Sequence, residues 1–170
     1  MGLKKVVIGV SGGIDSAVNA ALYATILPPE QILLVNMPSC YNSEMTKGLA
    51  KELADNIGCY YTVIPVQDSL ELTRKQFAEA PIMQGQTVKG HLTLTSFIEE
   101  NIQARDRSSR ILAAAAAAFG GVFTCNANKA ESSVGYATLY GDSAGFLAAT
   151  ADLWKHPVYA LARYMNESVF

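Results

Sequence analysis

A glycine-rich turn near the start of the chain has the residue types that bind a phosphate group. It directly continues an apolar run, and its residues are Gly9, Val10, Ser11, Gly12, Gly13, Ile14, Asp15 and Ser16. Backbone N–H groups approach a phosphate closely in such a turn, and the helix that follows adds the positive end of its dipole. Ser11 and Ser16 supply hydroxyl donors. We therefore expect a phosphate ligand at this turn.

The turn differs from two well-known phosphate-binding motifs, and it carries an aspartate, Asp15, at the start of the helix. The phosphate loop of ATPases ends in Gly-Lys-Ser/Thr, but no lysine follows the glycines here, and the dinucleotide fingerprint Gly-x-Gly-x-x-Gly is also absent. A carboxylate beside a phosphate repels it unless it holds a cation such as Mg²⁺. The turn therefore favours a magnesium-bound triphosphate whose pyrophosphate leaves. The alternative is an ordinary strand-to-helix turn in which Asp15 only begins the helix.

Two further segments carry polar side chains suited to a substrate. Asn101 and Arg105 lie four residues apart in a helical stretch and so share one face. Asparagine can hydrogen-bond a sugar or an amide, and arginine can bind a phosphate or a carboxylate, although a solvated helix face explains the pair equally well. Residues 126–131 follow an apolar run, and Glu131 could join Asp15 on Mg²⁺.

A parallel sheet is the element that would bring these residues together. Continuous apolar, β-branched runs predict buried strands, and helical stretches separate them. This alternation predicts an α/β fold, an open parallel sheet with helices on both faces, whose ligands bind at the carboxyl ends of the strands. We predict strands over residues 6–10, 32–37, 60–64 and 122–125, and helices over 15–26, 43–57 (with Ser43 as the N-cap), 68–80, 95–119, 130–134 and 157–165.

Two stretches of this pattern call for separate interpretations. Residues 81–92 have no clear period and contain Gly85 and Gly90, so we predict a mobile loop that could close over the site. Six consecutive alanines, residues 113–118, predict a helix that packs closely against another backbone. A homodimer interface is the sharper form of that prediction.

Composition narrows the class of protein. The chain has 170 residues, half of them apolar, which suits one domain. Its net charge is −2 with no basic block, which argues against nucleic acid as a partner, and no stretch approaches the roughly 20 apolar residues of a membrane span. The three cysteines are odd in number and lack metal-like spacing, as in a reducing compartment. We expect a cytoplasmic protein.

The motifs taken together resemble a known family. The turn at residues 9–16 is similar to that of PP-loop ATP pyrophosphatases, a group that includes NAD, GMP and asparagine synthetases and RNA thiolation enzymes. Residues 99–105, 126–131 and 134–142 then resemble glutamine-dependent NAD synthetases. That family carries Glu-Asn-Ile/Leu-Gln-Ala/Ser-Arg, Thr-Gly-Asn-Lys-Ser-Glu and Gly-Tyr-Ala-Thr-Leu-Tyr-Gly-Asp in this order, and the resemblance spans about residues 5–166.

The resemblance implies a PP-loop, adenine nucleotide alpha hydrolase-like fold and a ligase. ATP would adenylate the carboxylate of deamido-NAD and release pyrophosphate, and ammonia would displace AMP to give NAD. Carried over by position, ATP would contact residues 9–16, Asn126 and Lys155, and Mg²⁺ would bind Asp15 and Glu131. Asp15 and Lys155 would be catalytic. The residues that would face deamido-NAD are Asn101, Arg105, Glu131 and Asp142.

The sequence also departs from the family. The segment at 126–131 reads Asn-Ala-Asn-Lys-Ala-Glu, so Asn126 stands where a threonine that touches ATP is usual. The family also continues past Phe170, and its glutamine-dependent members carry an upstream amidase domain that nothing here resembles. We therefore expect a synthetase domain over residues 1–170, truncated at its C-terminal end, with ammonia that is free or supplied by a partner amidase. The alternatives are a nucleotide-binding fragment or module without turnover, and another PP-loop amidating enzyme.

Overall fold

Four parallel strands form the central sheet of the computed structural model, which describes residues 4–39 and 44–170. The strand order is β3-β2-β1-β6, so β1 lies in the interior of the sheet. Strand β1 pairs with β2 along its whole length and with β6 over two residues. The strands of this sheet are β1 (Val6–Val10), β2 (Ile32–Asn36), β3 (Tyr60–Val63) and β6 (Val122–Phe123).

Helices cover both faces of this sheet. Alternate residues of β1 point to opposite sides and are apolar on both, so each face packs against helices. On one side Ile8 and Val10 pack with side chains of α1 and α2. On the other side Val7 packs with Ile111 and Ala116 from the long helical stretch before β6. The α-helices are α1 (Ile14–Ala24), α2 (Glu44–Ile57), α3 (Gln67–Glu79), α4 (Ser96–Arg105), α5 (Ala113–Phe119), α6 (Lys129–Val134) and α7 (Lys155–Ser168).

The predicted fold class is confirmed, with differences at the ends of elements. The predicted helix at 157–165 begins earlier, at Lys155, and continues to Ser168. The predicted strand at 122–125 ends at Phe123. Ser43, the predicted N-cap of α2, lies outside the described residues. In the part of the chain that the structure describes, no helix is both long enough and apolar enough to cross a membrane.

The prediction of a loop over residues 81–92 is wrong. The segment forms an antiparallel hairpin of β4 (Pro81–Gln84) and β5 (Thr87–His91), with Gly85 in the turn at a φ of 60°. Nearly all of its side chains are exposed, so no burial period marks these strands in the sequence. At its base Arg74 donates twice to the Glu99 carboxylate, each time at 2.6 Å, and this contact lowers the pKa of Glu99. Closure of the hairpin over the site stays a prediction.

The helical stretch predicted at 95–119 is confirmed in extent but not in its pitch. Between α4 and α5 the chain forms a π-helix at Asp106–Leu112, in which each turn contains one extra residue. Among the alanines that follow, Ala116 is buried against the sheet, as the predicted close packing requires, whereas Ala114, Ala117 and Ala118 are exposed. The homodimer interface stays a prediction.

Residues 146–147 extend the sheet beyond β6. The Phe146 N–H donates to the Phe123 carbonyl at 2.9 Å, and the Cys125 N–H donates to the Leu147 carbonyl at 3.0 Å. Gly145 makes this approach possible, because a Cβ atom at that position would lie 2.3 Å from the Cys125 nitrogen. Its φ of 150° is also one that other residues rarely adopt.

Replacing Gly145 with alanine should therefore destabilise the fold. We expect Gly145→Ala to lower the free energy of unfolding by about 1–3 kcal/mol, because either the edge segment or the end of β6 must move. Urea denaturation followed by circular dichroism measures the loss. Gly48→Ala is the control, since Gly48 lies in α2 with no atom within 4 Å of an added Cβ. Equal stabilities for the two variants would contradict this account of the sheet edge.

Candidate active site

A cavity of about 450 Å³ opens where β1, β2 and β6 end. In a parallel sheet the carboxyl ends of all strands lie at one edge, so the loops that follow the strands lie together there. Ligands bind at this edge in open α/β folds. Four parts of the chain line the cavity: the glycine-rich turn, the end of β2, the π-helix, and the segments that follow β6. Of the predicted site residues, those that line it are Gly9, Val10, Ser11, Gly13, Asp15, Ser16, Asn126, Glu131 and Asp142.

The glycine-rich turn leaves the first turn of α1 open to a ligand. Gly13 is the N-cap of this helix and supplies no side chain to its N–H groups. The Ser16 hydroxyl donates to the Gly13 carbonyl at 2.9 Å, and the Ser11 hydroxyl accepts from the Gly13 N–H at 3.3 Å. Gly12 has a φ of 82°, and a Cβ there would lie 2.3 Å from the Thr46 carbonyl oxygen. The turn can therefore form only with glycine at that position.

Asp15 receives two donors from distant parts of the chain. Its Oδ1 accepts from Asn128 Nδ2 at 3.0 Å, and its Oδ2 forms an ion pair with Lys155 Nζ. Lys155 is the first residue of α7, and the structure thus brings the predicted catalytic pair into direct contact. This lysine does not itself line the cavity. The carboxylate is consequently compensated although it faces a ligand-sized space.

Asn128 organises both of the predicted metal-binding carboxylates. Its Oδ1 accepts from the N–H groups of Ala130 and Glu131, which caps α6, while its own N–H donates to Glu131 Oε2 at 3.0 Å. Its Nδ2 holds Asp15, and the whole residue is only 2% exposed. We did not predict Asn128 as a site residue. The signal was present, because asparagine three residues before a glutamate is a capping-box pattern.

The predicted substrate-binding residues divide into two groups. Glu131 and Asp142 line the cavity, whereas Asn101 and Arg105 do not. Asn101 accepts from the Thr138 hydroxyl at 2.8 Å, and Arg105 Nε donates to the Leu139 carbonyl at 3.2 Å. In the structure both therefore fix the loop that leads to Asp142. Their contact with a substrate stays a prediction.

The π-helix brings Arg107 and Ser108 to the cavity, and neither was predicted. Arg107 Nε donates to the Met37 carbonyl at 3.3 Å, and the Ser108 hydroxyl donates to the Gly141 carbonyl at 2.7 Å. Burial lowers the pKa of the Arg107 guanidinium, which nevertheless remains charged at neutral pH. No sequence pattern showed that these two of the four polar residues at 107–110 would face inward.

The thiol of Cys125 lies beside the site without the features of a nucleophile. It donates to the Asp142 carbonyl at 3.2 Å, and burial raises its pKa. A thiol with a raised pKa stays protonated at neutral pH and is a poor nucleophile. The arrangement therefore suits chemistry in which the protein positions ligands and balances charge.

The acidic residues of the cavity fit a magnesium ion. Mg²⁺ is usually held by one or two carboxylates together with water and the phosphate oxygens of a substrate, and Asp15 and Glu131 line the same cavity as the phosphate-binding turn. Within the described residues, only Oε2 of Glu131 accepts a hydrogen bond, so Oε1 is available to a ligand. No cluster of three or more metal-binding side chains occurs in that part of the chain.

Sequence comparison decides the family. The model of the family described as NAD synthase matches residues 1–169. The chain belongs to this family. A glutamine-dependent NAD(+) synthetase of Xylella fastidiosa strain Temecula1 is 36% identical over 165 residues, which cover 97% of this chain and 28% of that protein. A glutamine-dependent NAD(+) synthetase of Aquifex aeolicus is 40% identical over 166 residues, which cover 97% of this chain and 27% of that protein. The chain thus spans less than a third of the length of these curated relatives.

Solved structures of NAD synthetases and of an NMN synthetase have the same fold. The glutamine-dependent NAD+ synthetase from Acinetobacter baumannii, in complex with ADP, matches with a TM-score of 0.86 and 32% identity over 98% of this chain and 30% of that one. The NH3-dependent NAD synthetase from Campylobacter jejuni matches with a TM-score of 0.82 and 31% identity, over 98% of this chain and 66% of that one. NMN synthetase from Francisella tularensis matches with a TM-score of 0.83 and 28% identity, over 97% of this chain and 63% of that one. The resemblance read from the motifs is therefore confirmed.

The double role of Asn128 in the candidate site can be tested by measuring stability. Asn128→Ala removes both the helix cap and the donor to Asp15, so we expect it to cost at least the 0.5–2 kcal/mol typical of a lost cap. Asn128→Ser keeps a capping oxygen and should cost less. Urea unfolding midpoints compare the two, with Ser133→Ala, an exposed position in the same helix, as the control. An Asn128→Ala variant as stable as Ser133→Ala would contradict the assignment.

Proposed function

We propose that this chain holds the synthetase site that amidates deamido-NAD to NAD at the expense of ATP. The nicotinate carboxylate attacks the α-phosphorus of ATP, which forms an acyl-adenylate and releases pyrophosphate. Ammonia then attacks the acyl carbon, and AMP leaves as the amide forms. Membership of the NAD synthase family, together with a cavity that joins an open helix N-terminus to Asp15, is the observation that carries this proposal.

We propose the following roles for the residues in and beside the cavity. The N–H groups of the glycine-rich turn and the hydroxyls of Ser11 and Ser16 bind the phosphates. Asp15 and Glu131 hold Mg²⁺, which when bound neutralises negative charge on the nucleotide. Lys155 moves from Asp15 to the phosphates, an exchange of one anionic partner for another. Positioning two anions side by side is the main task, since no side-chain nucleophile is needed.

The ammonia source and the assembly are further parts of this proposal. The relatives are named as glutamine-dependent and NH3-dependent synthetases, so ammonia comes either from solution or from an amidase domain or subunit. We also propose a homodimer and a cytoplasmic location. Asn101, Arg105 and Asp142 contact deamido-NAD, the first two once the loop at residues 138–142 admits it.

A second candidate is a nucleotide-binding unit without turnover. It is favoured by one observation, that residues 126–130 read Asn-Ala-Asn-Lys-Ala where the family motif has Thr-Gly-Asn-Lys-Ser. Such a unit would bind ATP at the glycine-rich turn but would release no pyrophosphate. The two candidates therefore differ in a product that can be measured directly.

Pyrophosphate release from ATP tests the proposal. With Mg²⁺ and ammonium present, we expect release to require deamido-NAD and to fall at least about 100-fold in Asp15→Asn, because that variant loses one of the two carboxylates proposed to hold Mg²⁺ beside the phosphates. Asp55→Asn is the control, since Asp55 lies on α2 in an exposed ion pair with Lys51.

The outcomes separate the candidates. Release without deamido-NAD, or release equal in Asp15→Asn and wild type, would contradict the synthetase proposal. ATP binding that is lost in Asp15→Asn, without any pyrophosphate release, would favour the second candidate. Absence of ATP binding in the wild-type chain would overturn both.

A further inference from the structure

Arg107 is the one lysine, arginine or histidine among the described residues that line the cavity. The other charged groups there are the carboxylates of Asp15, Glu131 and Asp142. Lys155 compensates Asp15 from outside the lining, and the remaining acids leave the cavity with an excess of negative charge. A polyanionic ligand therefore meets a single cationic side chain within the cavity itself.

The π-helix determines where Arg107 points. Arg107 and Leu112 are five residues apart and line the same cavity, which is the spacing of one π-helical turn. The Nε donor of Arg107 is occupied by the Met37 carbonyl. This contact anchors the side chain beside the end of β2 and leaves the two terminal nitrogens of the planar guanidinium for another acceptor.

Among the described residues, no carboxylate contacts those terminal nitrogens. Within the described residues, Arg107 has no acidic oxygen within 4.0 Å, although Arg110 on the next turn is paired with Asp106 and Arg74 is paired with Glu99. Burial of an unpaired charge is unfavourable unless a partner of opposite sign compensates it. Burial lowers the pKa of this half-buried guanidinium, while Asp142 and Asp106, from farther away, favour its charged form and raise the pKa. Among the described residues its terminal nitrogens still lack a direct anionic partner, which a ligand phosphate would supply.

We propose that Arg107 binds a phosphate group of a nucleotide in this cavity, in addition to the phosphate contacts of the glycine-rich turn. The assignment rests on the proposed function, which brings two phosphate-bearing ligands, ATP and deamido-NAD, into the site. The planar fork of an arginine matches two oxygens of one phosphate. Arg107 and the turn lie on different elements around the cavity, so they contact different phosphate groups.

Calorimetric titration with ATP, deamido-NAD and adenosine, each in the presence of Mg²⁺, tests the assignment. In Arg107→Met we expect affinity for the ligand whose phosphate it binds to fall about 10- to 100-fold, as for a lost hydrogen-bonded charge. Loss for ATP alone or for deamido-NAD alone identifies the source of the phosphate. Adenosine, which has no phosphate, should bind both proteins equally. Arg107→Lys keeps the charge and should show an intermediate loss.

The control is Arg110→Met, which removes an exposed, paired arginine from the same π-helix and should leave all three affinities unchanged. Equal losses for ATP and adenosine in Arg107→Met would show that the residue only maintains the fold and would overturn the assignment. Unchanged affinities for ATP and deamido-NAD would overturn it as well, while the proposed function would stand. If the wild-type chain bound neither phosphate-bearing ligand, the proposed function and this assignment would both fail.

Discussion

The Asp15 carboxylate depends on partners that lie far away in the chain, and the geometry of the site depends on that contact. Lys155 is 140 residues away and Asn128 is 113 residues away, yet each donates to one oxygen of this side chain. A carboxylate in the first turn of α1 is favoured by the helix dipole, whereas Lys155 stands at the N-terminal end of α7, where the dipole disfavours a cation. The ion pair offsets that disadvantage and joins α7 to the glycine-rich turn.

This contact also explains why the acidic cavity is compatible with an anionic ligand. In the structure Lys155 pairs with Asp15, so before a ligand binds the unpaired negative charge of the cavity lining comes mainly from Glu131 and Asp142. Asn128 fixes Glu131 through the backbone and Asp15 through the side chain, and the positions of the two acids are therefore coupled. A cation shared by these acids would bind to a pair whose spacing is already set by the fold.

Features encoded by local sequence were predictable, and features set by distant contacts were not. The order strand, turn and helix at residues 6–24 follows from a buried apolar run, from a glycine that alone tolerates the turn, and from an amphipathic helix. The hairpin at 81–91 gave no signal, because its side chains are exposed and only the pairing of its own strands defines it. The capping pattern of Asn128 was local and was overlooked.

The π-helix shows most clearly what local sequence cannot encode. Residues 106–112 are compatible with an α-helix, and the wider turn accompanies contacts with a loop some 30 residues away: the hydroxyls of Ser108 and Ser109 donate to the carbonyls of Gly141 and Tyr140, each at 2.7 Å. With α-helical spacing assumed, Arg105 was the natural candidate for a ligand contact. The π-helix places Arg107 in the cavity lining, while contact of Arg105 with a substrate stays a prediction.

Asn126, where this chain departs from the family motif, serves the fold as well as the site. The ladder between β1 and β6 ends at Phe123, and the Asn126 amide continues it by donating to the Gly9 carbonyl at 2.7 Å. The Asn126 Oδ1 also accepts from the Thr124 hydroxyl at 3.2 Å. An amide nitrogen carries two hydrogens, so one N–H remains for a ligand in the cavity that Asn126 lines. A hydroxyl at this position would have only one hydrogen to donate. It could not form a full hydrogen bond to both the Gly9 carbonyl and a nucleotide.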